Sequence, residues 1–142
     1  MCSTCGIRCP KDLNPYEFLA DIRGIAVEEG QIAPTIRDAL ESIFKNGNPW
    51  GRIRGRRSEW AQGLNIRHIS QGAEILYFVG CTPAYDPRVQ GVSKNLVKCF
   101  EKAGVDFGTL GDEENCCGNE VYGMGEKGLF DFLVEENMKI FE

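Results

Sequence analysis

Ile75-Leu76-Tyr77-Phe78-Val79 is an unbroken apolar run closed by Gly80, with Cys81 directly after it. A short continuous apolar run of this kind predicts a strand buried on both faces of a parallel sheet. Downstream, Val89, Val92, Leu96, Val97, Phe100 and Ala103 recur at helical spacing and stop at Gly104. Val105 to Leu110 reads as a second short strand, and Leu129, Phe130, Leu133, Val134, Met138 and Phe141 mark a last helix. Strand, helix, strand, helix is a βαβα unit, whose crossover makes the two strands parallel. Two strands make a poor sheet by themselves, so the fold class expected is α/β with further strands supplied from beyond residue 142 or from a covering partner.

The first half of the chain has a different character. "MCSTCGIRCPKDLNP" (1–15) is punctuated by Cys and Pro and reads as a ligand loop. Phe18, Leu19, Ile22, Ile25 and Ala26 then follow a helical period up to Gly30. Ile36, Ala39, Leu40, Ile43 and Phe44 repeat the period after Pro34 and end at Asn46-Gly47. "GNPWGRIRGRR" (47–57) has the composition of a linker, and a short helical pattern spans residues 58–64. A boundary near residue 70 divides the chain into segments 1–70 and 71–142. No internal repeat or low-complexity tract is visible.

Charge excludes one class of function. The 142 residues carry a formal net charge of -5, against which Arg52, Arg54, Arg56 and Arg57 are too small a basic cluster for general nucleic-acid binding. A solvated loop is the expectation for these arginines, with steering of an acidic partner as the alternative. Trp50 and Trp60 flank them and are expected to bury against the helices. No apolar stretch approaches the length of a membrane span, and residues 1–20 hold cysteines and charges where a secretory leader would be apolar. The compartment expected is the reducing cytoplasm.

Seven cysteines in tight groups are not a disulfide framework and point to metal or redox work. Cys2, Cys5, Cys9 and Pro10 spell C-x2-C-x3-C-P, which matches in register the last part of the bacterial ferredoxin run for a 4Fe-4S cluster. A zinc site or a redox C-x-x-C is the competing reading. Cys81 follows the first strand, and Cys116-Cys117 follow the second, so parallel strands would deliver all three to one crevice at their carboxyl ends. Neighbouring thiolates can reach different metal atoms of one cluster, whereas a disulfide between them would be strained. Cys99 lies within a helix beside Phe100 and is expected to pack as a small core residue. His68 reads as a surface or packing residue, and "GMGEKG" (123–128) follows no strand and lacks the pattern of a phosphate loop.

These residues together resemble the iron-sulfur subunits related to heterodisulfide reductase, in which a ferredoxin-like helical domain is joined to cysteine-rich CCG domains. The resemblance rests on Cys2, Cys5, Cys9 and Pro10, on "GNPWG" (47–51) as the connecting segment, and on Cys81 with Cys116-Cys117-Gly118 as the front of a CCG module. It implies the C-terminal part of a helical 4Fe-4S ferredoxin-like domain over 1–70 and the first part of a CCG domain over 71–142. It further implies electron transfer from a cluster on Cys2, Cys5 and Cys9 toward a cluster or disulfide-active site on Cys81, Cys116 and Cys117, the three residues given the catalytic role. Other redox subunits, a flavoprotein or a membrane electron-transfer subunit, are the partners implied, with membrane association through such a partner. The first ferredoxin cysteine, the closing Cys-x-x-Cys of the CCG motif and a second CCG module are absent from these residues, so the chain is expected to be a piece of a longer subunit. The reading from another class is a zinc-stabilised interaction module without redox work.

Overall fold

The computed structural model of the protein describes residues 3–142. Cys2, the first cysteine of the N-terminal motif, lies outside the described residues.

Helix α1 (Thr4–Ile7) is a single turn and packs on α2 (Pro15–Glu28). Helix α3 (Pro34–Asn46) begins with Pro at its first position and stops at Gly47, as the start and stop signals in the sequence predict. A 3₁₀ segment (Arg54–Ala61) and a 3₁₀ turn (Ile69–Gln71) lead to β1 (Ile75–Leu76). Helices α4 (Cys81–Tyr85) and α5 (Pro87–Ala103) separate β1 from β2 (Phe107–Gly108). A 3₁₀ turn (Gly111–Glu113), α6 (Asn119–Met124) and α7 (Lys127–Phe141) complete the chain. The protein is thus mostly helical around a small two-stranded parallel sheet, an α/β arrangement.

The strands pair in register Ile75 with Phe107 and Leu76 with Gly108. They are shorter than the apolar runs predict, and Ile75 is 49% exposed instead of covered on both faces. The other edge of β2 is also paired. Thr109, whose backbone groups point away from β1, bridges to His68 in parallel, with Ile69 N donating to Thr109 O at 2.9 Å and Thr109 N donating to Arg67 O at 3.1 Å. The segment before β1 therefore covers the far edge of β2. Gly108 permits the approach, because a Cβ there would lie 2.9 Å from the Ile69 Cα. His68 also bonds Ser70 Oγ through Nδ1 at 2.7 Å.

Two apolar clusters hold these pieces. One joins Leu40 and Ile43 of α3 to Cys116, Val121 and Leu133, with Cys81 packed against it. The other gathers Trp60, Ala84, Val97 and Phe107, with Tyr77 and Phe100 alongside. Trp60 is buried as expected and meets Tyr77 edge-on at 6.3 Å, whereas Trp50 remains exposed.

The periodicity places helices α2 and α5 but does not give the whole of their packed faces. In α2 the buried positions are Ala20 and Gly24, one turn apart, while Phe18, Ile22 and Ile25 are more than half exposed. Small residues let the neighbouring backbone approach, and they set the packed face. In α5 the inward positions are Ser93 and Val97. Cys99 lies about 200° further round than Val97 at 3.6 residues per turn, and it is exposed instead of packing as a core thiol.

Candidate cysteine site and its buried ion pair

Cys81 opens α4 directly after Gly80, and Cys116-Cys117 occupy the loop between the 3₁₀ turn at 111–113 and α6. The three thiols meet. Cys116 is hydrogen-bonded to both Cys81 and Cys117. Its thiol is pushed up by these two bonds and by burial, so it is the proton holder of the trio. Cys81 is lowered to about 7, chiefly by the bond from Cys116, with burial opposing and the charge of Arg57 assisting. Cys117 is lowered to about 6, again chiefly by Cys116, with burial opposing and the Asn119 backbone contributing.

Cys116 is buried and Cys117 exposed, so the adjacent sulfurs face different surroundings. Gly118 makes this turn possible. Its φ is +80°, and a Cβ would lie 3.0 Å from Phe130 Cδ2, so a side chain would meet both backbone strain and a ring. The chain is tied down beyond it where Asn137 Nδ2 of α7 donates to the Cys116 carbonyl at 2.9 Å.

The exposure and lowered pKa of Cys117 give a directional expectation. In metal-free protein, its alkylation by iodoacetamide should rise with pH through about 6 and level off near neutrality, because the thiolate is the nucleophile. A cysteine in an unstructured peptide keeps gaining reactivity up to roughly pH 8.5. Peptide mapping by mass spectrometry reads the rate at Cys117 alone, and a rate still climbing through roughly pH 8.5 would contradict the assignment.

Beneath the thiols lies a charge pair that sequence reasoning missed. Arg57 and Glu114 are each 2% exposed. Arg57 Nη2 donates to Glu114 Oε1 at 2.6 Å and Nε donates to the same oxygen at 3.2 Å. Nη1 also donates to Gly47 O at 3.3 Å and Nη2 to Asn115 O at 3.3 Å. Both terminal nitrogens stand 3.5 Å from Cys81 Sγ. Burial works against the charge on Arg57, but Cys81 and Glu114 outweigh it and its pKa is raised. Glu114 in turn accepts from Val79 N and Gly80 N, both at 2.8 Å.

The expectation of a solvated arginine loop is therefore corrected. Arg57 is interior, and Arg54 Nη2 donates to Asn115 Oδ1 at 3.2 Å; Arg56 pairs outward, with Glu59. Asn48 explains the loop's shape. It is 0% exposed, donates to the Asn46 and Arg52 carbonyls, and accepts from Trp50 N and Arg52 N. An acid immediately before Asn115-Cys116-Cys117 is the available sequence signal for Glu114, but nothing in the spacing of four arginines singles out Arg57.

Cys5 lies exposed on α1, and Cys9 follows it half-buried. Among the described residues, no group of three or more His, Cys, Asp or Glu side chains stands ready to hold a metal ion.

A cysteine-rich α/β segment with a CCG turn is the class that this geometry defines. Residues 75–142 match the family model for the cysteine-rich domain, CCG. Over 99% of its length the chain is 29% identical to the EtfAB:quinone oxidoreductase of Syntrophomonas wolfei, covering 21% of that protein. It is 30% identical, over 99% of its length, to the probable iron-sulfur-binding oxidoreductase FadF of Bacillus subtilis, again covering 21%. A dihydromethanophenazine:CoB--CoM heterodisulfide reductase polypeptide of Methanosarcina barkeri is 29% identical over 94% of the chain, which covers 33% of it. Residues 75–142 are thus similar to CCG cysteine-rich domains, and the chain spans between about a fifth and a third of the length of these relatives. No solved structure matches it.

Proposed function

We propose that the chain is an electron-transfer component of an iron-sulfur oxidoreductase of the heterodisulfide-reductase type. The observation that carries this reading is the meeting of Cys81, Cys116 and Cys117 over the buried Arg57–Glu114 pair. Relatives named as iron-sulfur-binding or as heterodisulfide reductase components support it. In its chemistry, though not as a formed cage, the donor set suits an iron-sulfur cluster: these are soft sulfur ligands, two of them lowered toward the thiolate that ligation needs. Cys81, Cys116 and Cys117 would hold that group. Bound there, it would supply one-electron storage beside a disulfide site or a further carrier.

The chain's own residues do the supporting work. Glu114 fixes the backbone just before Cys81, Arg57 donates toward its sulfur, and Asn137 holds the Cys116 carbonyl. Cys117, exposed, is the member best placed to meet another redox group.

In the same reading, residues 1–70 are the C-terminal part of a helical ferredoxin-like domain whose Cys2, Cys5 and Cys9 bind a 4Fe-4S cluster. Residues 71–142 are the first part of a CCG domain built on a βαβα unit. Electrons pass from the former to the latter, and the partners are a flavoprotein or a membrane electron-transfer subunit on the cytoplasmic side. No helix among the described residues is long and apolar enough to cross a membrane.

The test is elemental. The holo-protein, prepared without oxygen in its full-length subunit, should contain iron and acid-labile sulfide and absorb in the visible region. Stoichiometric zinc without sulfide would overturn the proposal in favour of a structural module.

A further inference from the structure

We propose that Arg57 is a positioning residue of the cysteine site, whose guanidinium, locked on Glu114, donates to the Cys81 sulfur, fixes it in place and withdraws negative charge from it. The inference rests on the reading of Cys81 as a cluster ligand and adds a residue from outside the CCG segment to the site.

Burial is the first support. A guanidinium that is 2% exposed is costly unless its charge and donors are met. Every side of this one is met: Nε and Nη2 by Glu114, Nη1 by Gly47 O, Nη2 by Asn115 O, and both terminal nitrogens by Cys81 Sγ. Such coverage uses the planar fork of arginine, which a lysine ammonium cannot reproduce.

Connectivity is the second support. Glu114 grips Val79 N and Gly80 N, the two residues before Cys81, and itself stands just before Asn115-Cys116. One ion pair thereby joins both arms of the thiol trio. Arg57 reaches it from the segment that Asn48 shapes, and Ser58 N anchors that segment by donating to Asp112 Oδ1 at 2.8 Å. The Cys81 thiol bonds the same Gly47 carbonyl at 3.7 Å. The position of the sulfur thus depends on residues far upstream of the cysteines.

The functional consequence follows from sign. Hydrogen bonds and positive charge at a ligand sulfur favour the electron-rich state of the group it holds, so they raise its reduction potential. Weakening the donation should lower it.

Two variants of the anaerobically prepared holo-subunit test this: Arg57→Lys, which keeps the charge and loses the fork, and Arg57→Gln with Glu114→Gln, which keeps the pair's net charge at zero. Far-UV circular dichroism establishes folding, and iron and sulfide analysis establishes loading. In redox titrations followed by electron paramagnetic resonance, the signal that Cys81→Ser removes should shift to a more negative midpoint in both variants. Loss of iron from a folded Arg57→Lys protein also supports the proposal, since a displaced sulfur ligates poorly; if that variant does not fold, the double variant decides. An unchanged midpoint in folded, loaded protein overturns the role of Arg57 while leaving the cluster reading standing. A Cys81→Ser protein that keeps every signal overturns both.

Discussion

Arg57→Met should destabilise the protein by about 3–5 kcal/mol, the cost of leaving a buried charge without its partner. Glu114 would then sit 2% exposed with only the Val79 and Gly80 backbone groups for company. Domains of this size are stable by only about 5–15 kcal/mol, so a shift in the denaturant midpoint should be plain and partial unfolding at ambient temperature is within range. Adding Glu114→Gln should relieve part of the damage, because it removes the stranded charge, although its one amide oxygen can accept from only one of Val79 N and Gly80 N, which Glu114 meets with separate oxygens. A double-mutant cycle reads this as a coupling between the positions. Loss of less than about 1 kcal/mol in Arg57→Met alone, the range of exposed pairs, would mean that the pair contributes little to the fold, and that water or another cation reaches Glu114.

That sensitivity explains what the sequence could and could not disclose. Helix α3 is legible because Pro34 and Gly47 bracket an apolar period, and α5 because its apolar period stops at Gly104. The meeting of Cys81 with Cys116 and Cys117 is legible from their positions after two strands that pair in parallel. Strand length is not, nor is the pairing of the His68 segment with the far edge of β2, which no local pattern encodes. The packed face of α2 is hidden for a related reason: Ala20 and Gly24 carry little hydrophobic signal, yet they decide how close two backbones come. Arg57 is the largest omission. Arginine in a glycine-rich stretch reads as solvated, and only Glu114, distant in sequence, reverses that.

The second large effect concerns the cysteines themselves. Cys116 lies between its two partners and is the only one of the three that is buried. Replacing any member by serine exchanges a soft sulfur donor for a hydroxyl that does not ionise near neutral pH, so ligation of iron should fail or be remodelled at that position. The three positions should therefore report as one unit despite their separation in sequence. Cys99, exposed on α5, has no part in this arrangement, and Cys99→Ser should leave the cluster spectrum as it is.

Electron paramagnetic resonance of the reduced and oxidised full-length holo-subunit, compared among Cys81→Ser, Cys116→Ser, Cys117→Ser and the Cys99→Ser control, tests the central claim most directly. The same signal should be lost or altered in each of the first three and preserved in the fourth. A folded Cys81→Ser or Cys117→Ser protein with an unchanged spectrum would contradict the claim that the trio holds a single redox group.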